Sequence, residues 1–175
     1  MPKILFTVLA VGSLFLASHL QAGLTDVQIT VTKSADKADK VVEGEGGSSK
    51  LASEVSHDIK LADTAFADLS DLTVDYIIFV ERQKIGTKKE QDVVKRIKGT
   101  KAIPALTKKE PQTISTEKIL LSTESLVGNY IYSNGARIKV MDNIKGVWVR
   151  VSQGGKVIAE YLNPSTVRNR GWDEK

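Results

Sequence analysis

The chain contains no cysteine. That excludes a disulfide framework, thiolate catalysis and cysteine-ligated zinc. Histidine is nearly as scarce, with two in 175 residues, and only His57 lies beyond the N-terminal leader. Serine catalysis needs a base held beside its nucleophile, and no Gly-x-Ser-x-Gly elbow accompanies this one histidine. A lone histidine on a strand is read as structural. Gly44-Glu45-Gly46-Gly47-Ser48-Ser49 lacks the Lys-Ser/Thr end of a phosphate loop. Asp36, Asp39, Glu43 and Glu45 lack the spacing of a calcium loop. Carboxylates are plentiful, the raw material of glycosidase chemistry, but nothing selects a pair. The expectation is a protein that is not an enzyme, with no cofactor and no metal.

Long hydrophobic runs are also missing. The longest is Ile4 to Leu16, 13 residues, too short to span a bilayer comfortably. Lys3 precedes it, and Ala17 to Ala22 follows as a cleavage region. Basic residue, apolar run and small residues together predict a signal peptide over residues 1–22. The rest, 23–175, is one domain of 153 residues, large enough to bury a core. The expected destination is outside the cytoplasm: periplasm, outer-membrane surface or extracellular space, with no membrane span left after processing.

Charge is unevenly placed. Residues 24–81 carry 5 basic and 12 acidic side chains, residues 82–109 carry 10 and 2, and residues 110–175 carry 9 and 7. The basic stretch offers Lys84, Lys88, Lys89, Lys95, Arg96, Lys98 and Lys101 as a candidate contact for an anionic surface. The competing reading is a solvated loop or a lysine-guarded sheet edge. Aromatics are absent from Gln83 to Lys109, which removes base stacking and with it nucleic acid as a partner.

What remains is strand signal. Val27 to Thr32 alternates and is β-branched, the first strand; it is a candidate edge open to a neighbour, against the simpler and preferred reading that it pairs within its own sheet. Lys33 to Lys50, rich in Gly, Ser and mixed charge, reads as a flexible loop. Val55, His57, Ile59 and Leu61 alternate in a second strand. In Leu72 to Arg82, one face is Leu72, Val74, Tyr76, Ile78 and Val80, and Ile77 and Phe79 make the other apolar too. Asp75 and Glu81 flank that second pair, which suggests a central strand with partial cover on its second face. Residues 83–110 read as a second flexible loop, with Asp92 to Lys98 a short edge strand or a helical turn. Thr113 to Ser122 is a further strand, and Asn134-Gly135 is a turn signal.

The clearest unit is the hairpin from Lys145 to Leu162. Val147, Val149 and Val151 alternate with Trp148, Arg150 and Ser152. A two-residue Gly154-Gly155 loop sets Val149 against Glu160. A three-residue Gln153-Gly154-Gly155 loop sets Val151, Val149 and Val147 against Val157, Ala159 and Tyr161, an apolar face, and is preferred. Ile158 then falls on the outer face. Val167 to Lys175 reads as a mobile tail. About seven strands without a long amphipathic helix predict an all-β antiparallel sandwich, with a small barrel as the runner-up.

The run LTVDYIIFVER, a basic insertion, TISTEKILLSTESL and then IKGVWVRVSQGGKVIAEYLNPSTV resembles small exported immunoglobulin-like proteins of Verrucomicrobia. These include one encoded with the type IV pilus genes of Akkermansia muciniphila. The resemblance covers roughly 54–167 and implies an immunoglobulin-like fold related to archaeal pilus domains. It also implies a non-enzymatic role in the cell envelope, with envelope or pilus proteins, or further copies of the chain, as partners. It carries over no site residue. The leader departs from a pilin leader, which has a small residue before the cut and a Glu soon after. The second function reading is a module for an anionic glycan, using the lysines together with Tyr130, Tyr132, Trp148 or Trp172.

Overall fold

A computed structural model describes residues 26–35 and 48–65, the backbone of 36–43, and 68–126, 132, 134 and 136–173. The leader, Tyr130 and Gly135 lie outside these. Nine strands are present among the described residues: β1 (Val27–Glu43), β2 (Ser48–Asp63), β3 (Leu69–Arg82), β4 (Val93–Leu106), β5 (Gln112–Ser115), β6 (Ile119–Leu126), β7 (Lys139–Met141), β8 (Asn143–Gln153) and β9 (Lys156–Asn163). Short 3₁₀ segments occupy Lys89–Gln91 and Ser165–Arg170. One sheet runs β1-β2-β6-β7 with β5 also on β2; the other runs β4-β3-β8-β9. Every pairing is antiparallel, so the fold is an all-β sandwich. Among the described residues, no helix is long and apolar enough to cross a membrane.

The strand count exceeds the expected seven for local reasons. The single strand read at 113–122 is broken: β5 and β6 both pair with β2, but their registers differ by one residue. Thr116 fills the break. Its N–H donates to the His57 carbonyl at 2.9 Å, and its hydroxyl accepts the His57 N–H at 2.9 Å. From the opposite sheet, the Tyr76 hydroxyl accepts the Glu117 N–H at 3.2 Å. Tyr76 can lie there because its partner across β4 is Gly99, where a Cβ would sit 2.2 Å from the ring.

Three expected loops are corrected. Residues 33–43 and 48–50 are strand rather than loop: β1 and β2 stay paired out to Glu43↔Ser49, with one irregularity between Asp36 and Lys40. In 83–110, β4 pairs with β3 from Arg82↔Val93 to Leu69↔Leu106. Pro104 is tolerated because β4 is an edge strand and pairing lapses opposite Asp71, whose φ is 52°. The C-terminal segment is no free tail: Val167 is 1% exposed, and Trp172 meets Trp148 edge-on at 5.2 Å.

The hairpin register is also corrected. The loop is Gly154-Gly155, both at positive φ, with Gln153 facing Lys156. A bulge between Val151 and Ser152 then inserts one extra residue, giving Val151↔Ala159, Val149↔Tyr161 and Val147↔Asn163. The bulge restores the parity that the two-residue loop alone would invert, so the valines still face the core. It also turns Ile158 inward, against the main core rather than the outer face.

The main core joins the inner faces of both sheets, with Ile59, Leu61, Val74, Ile78, Val80 and Val149 at 0% exposure. Each such side chain contributes about 1.5–3 kcal/mol. A second cluster lies on the outer face of the β3–β8 sheet, where Ile77, Phe79 and Trp148 are covered by Val167 and Trp172. Thus β3 is buried on both faces, as its two apolar sides anticipate.

Before β7 begins its pairing at Thr123, the edge of β6 is capped by Asp142 and Arg82. The Ser122 carbonyl accepts the Asp142 N–H at 2.8 Å, and the Leu120 carbonyl accepts Arg82 Nη1 at 2.7 Å. The Asp142 carboxylate then accepts Arg82 Nη1 at 2.6 Å, the Ser122 hydroxyl at 2.8 Å, the Ser122 N–H at 3.0 Å and the Gln83 N–H at 3.3 Å. Burial pushes this carboxyl up, but the bonds from Ser122, Arg82 and Gln83 outweigh it and leave the pKa lowered.

Candidate functional site

Two features of the sandwich present themselves to other molecules. The first is the outward side of β1. It closes its sheet and, among the described residues, its ladder is with β2 alone, although part of it lies near β9 of the other sheet. The Thr64 N–H donates to the Asp26 carbonyl at 3.0 Å, which sets the phase of the ladder. Antiparallel pairs alternate, so residues 28, 30, 32 and 34 direct their main-chain groups at β2. Val27, Ile29, Val31, Lys33 and Ala35 direct theirs away from it. Along 27–35 the only charged side chain is Lys33, so this edge carries little of the charge that normally guards one. Val27, Ile29 and Val31 pack their side chains on the core, which holds the strand in place.

Beyond the other sheet, the inner face of β1, β2 and β6 is left partly open. A groove of about 360 Å³ results, lined by Ala35, Leu51, Val55, Leu121, Met141 and Ile144 among others. Leu51 and Met141 are 46% and 51% exposed.

The second feature is basic. The seven candidate cations do not converge on one site. Lys84, Lys88 and Lys89 ride on the segment between β3 and β4. Arg137 pins that segment with bonds to the Thr87 carbonyl at 3.3 Å, the Lys88 carbonyl at 3.2 Å and both Asp92 oxygens. The Arg137 hydrogen bond holds the Asp92 carboxyl below its usual range. On β4, alternation divides the remainder. Arg96 pairs with Phe79 and Lys98 with Ile77, both on the outer face; Lys95 and Lys101 pair with Val80 and Val74 and project at the exposed rim.

Sequence reasoning missed Arg168 and Arg170. The C-terminal segment brings both onto this same outer face. Arg96 Nη2 donates to the Arg170 carbonyl, and both guanidinium groups approach the Phe79 ring, 5.7 and 5.9 Å from its centroid. Nearby, Glu160 accepts Trp148 Nε1 at 2.8 Å, Arg150 Nε at 2.9 Å and Arg168 Nη2 at 2.5 Å. The signal that could have found the docking was Val167 and Trp172, two large apolar residues in a stretch read as solvated.

Of the aromatics considered for sugar stacking, Trp148 is 3% exposed, and Arg150 lies 4.2 Å from the centroid of the Trp172 ring. Tyr132 is 39% exposed. His57 is 5% exposed, and burial is the largest influence lowering its pKa, aided by Lys33 and opposed by Asp58. Its Nδ1 has no partner. No group of three or more His, Cys, Asp or Glu residues suited to a metal exists among the described residues.

No protein-family model matches the chain, and no curated protein matches it. Among solved structures it is similar to a crystal structure from Akkermansia muciniphila, at 12% identity and a TM-score of 0.33. That similarity covers 89% of this chain and 82% of the other.

Proposed function

We propose that this is a non-catalytic, exported protein of the cell envelope that works by binding other proteins in a pilus-type assembly. The observation that carries the reading is the unpaired, weakly charged edge of β1. An extended segment of a partner can add there as a further strand, its main chain supplying the affinity. The adjoining groove offers an apolar contact for that partner's side chains. The predicted signal peptide and the resemblance to pilus-linked immunoglobulin-like proteins supply the setting.

The test is affinity purification of the tagged protein from its native envelope, with Val31→Pro beside wild type. Val31 directs its N–H away from β2, so proline there removes an outward donor without removing a ladder bond. Recovery of pilus components by wild type, lost with Val31→Pro while the urea midpoint is kept, supports the reading. Recovery of no pilus component, or equal recovery by both, overturns it.

A further inference from the structure

We propose that Arg170 and Lys98, backed by the charge of Arg96, form a binding site for the carboxylate or sulfate groups of an extended anionic polysaccharide. This site lies on the outer face of the β4-β3-β8-β9 sheet and goes beyond the edge-binding role of β1.

The geometry begins with Phe79. Two guanidinium groups that each lie within 6 Å of one ring centroid are no more than about 12 Å apart, close to the screening length of about 8–10 Å in physiological salt. Like charges so close repel unless an anion lies between them. No carboxylate does so among the described residues: neither arginine has an ion pair there. The acids on this face are otherwise placed. Asp75 accepts the Thr100 hydroxyl at 2.6 Å, and Glu160 is taken by Trp148, Arg150 and Arg168. Asp173 follows the docked segment, exposed. Arg96 Nη1 is buried without a hydrogen-bond partner in the protein, so Arg96 lends this face its charge while the exposed Arg170 and Lys98 meet the ligand.

The positions are fixed rather than diffuse. Arg96 is held by its bond to the Arg170 carbonyl, and Arg170 by the docking of Val167 and Trp172. The planar guanidinium fork of Arg170 suits carboxylate and sulfate oxygens. Lys98 is two residues along the same face of β4 from Arg96, about 6.6 Å further on, whereas Lys95 and Lys101 have the opposite parity. Neighbouring cations match a linear polyanion better than a single ion. Nucleic acid is disfavoured because a ring that could stack on bases, Trp172, already has Arg150 over it.

Both tryptophans of the chain belong to this cluster, so intrinsic fluorescence reports on the site. Polygalacturonate and heparin are titrated against the full domain at 0.15 M salt. Arg170→Gln/Lys98→Gln is compared with Lys88→Gln/Lys89→Gln, which removes the same charge elsewhere. Arg170→Gln keeps the carbonyl that Arg96 uses. The first double variant is expected to weaken binding roughly tenfold or more, the second by less than about twofold. Equal weakening by both would show attraction to net charge alone and overturn the site. So would an absence of binding by wild type, or tighter binding to phosphatidylglycerol vesicles than to either polysaccharide. Binding of inorganic sulfate that saturates the signal, with no gain from the polymer, would overturn the polymeric ligand. Because Val31→Pro leaves this face untouched, failure here is distinguishable from failure of the β1 reading.

Discussion

Asp142→Asn isolates the link that joins the two sheets. The carboxylate receives four hydrogen bonds from Arg82, Gln83 and Ser122. Three fall on Oδ2, whose residue is 6% exposed. A hydrogen bond to a charged group contributes about 1.5–3 kcal/mol and a neutral one about 0.5–1.5. An asparagine that points its oxygen at the same three donors loses about 1 kcal/mol at each, and its amide then faces the Gln83 N–H. The expected loss is about 3 kcal/mol, a large share of the roughly 5–15 kcal/mol of an ordinary domain. With a urea m-value of about 1.5–2 kcal/mol/M, the midpoint at pH 7 falls by about 1.5–2 M. The pH dependence has a definite sign. The folded pKa of Asp142 is depressed, so its contribution is present above the unfolded carboxyl value of about 3.9. It is lost as pH falls through the lower folded value. The gap between wild type and Asp142→Asn therefore narrows in strong acid. Urea melts at pH 7 and at stepwise lower pH measure it. A gap below about 1 kcal/mol at pH 7, or one that widens on acidification, would refute the argument.

Gly99→Ala places a methyl group 2.2 Å from the Tyr76 ring; overpacking of this kind costs about 1–3 kcal/mol, read as a drop in thermal midpoint. Val149→Asp buries a charge at a site with 0% exposure, so loss of a cooperative melt is expected. Val167→Ala uncovers the Phe79–Trp148 cluster and is expected to cost about 2 kcal/mol, while raising the quenching of tryptophan emission by acrylamide. Thr30→Pro, unlike Val31→Pro, removes a donor to β2 and is expected to destabilise by about 3 kcal/mol in urea melts.

The sequence was most legible where burial is one-sided or complete. The alternation of Val55 to Leu61 and the two apolar faces of Leu72 to Val80 both correspond to what those strands cover. The far half of the β1–β2 hairpin was opaque because its residues are charged and small on both faces; only pairing reveals it. In β4 the period-two signal is masked by lysines on both sides, Lys95 and Lys101 reaching solvent around the rim and Lys98 from the outer face. The Val151/Ser152 bulge has no composition of its own. The basic outer face was illegible because half of it arrives from residues 168–170, whose docking depends on Trp148, Phe79 and Ile77 lying far back in the chain. The β1 edge was named from its pattern alone, and its outward phase needed the Asp26–Thr64 bond.

The position of β3 bears on when the domain can assemble. Its ladder on one side is to β8, where Val74 meets Val151, and its outer cover is Val167. These contacts join residues about 77 and 90 positions apart, so closing them is slow and depends on loop-closure entropy. Until residues 143–167 are available, the most hydrophobic strand has neither its second neighbour nor its lid. A ribosome-bound chain therefore holds this strand in a non-native state until Val167 has emerged. Pulse-labelled amide exchange should show the β3 amides directed at β8 gaining protection after those directed at β4 and, once the domain is complete, giving it up only with global unfolding.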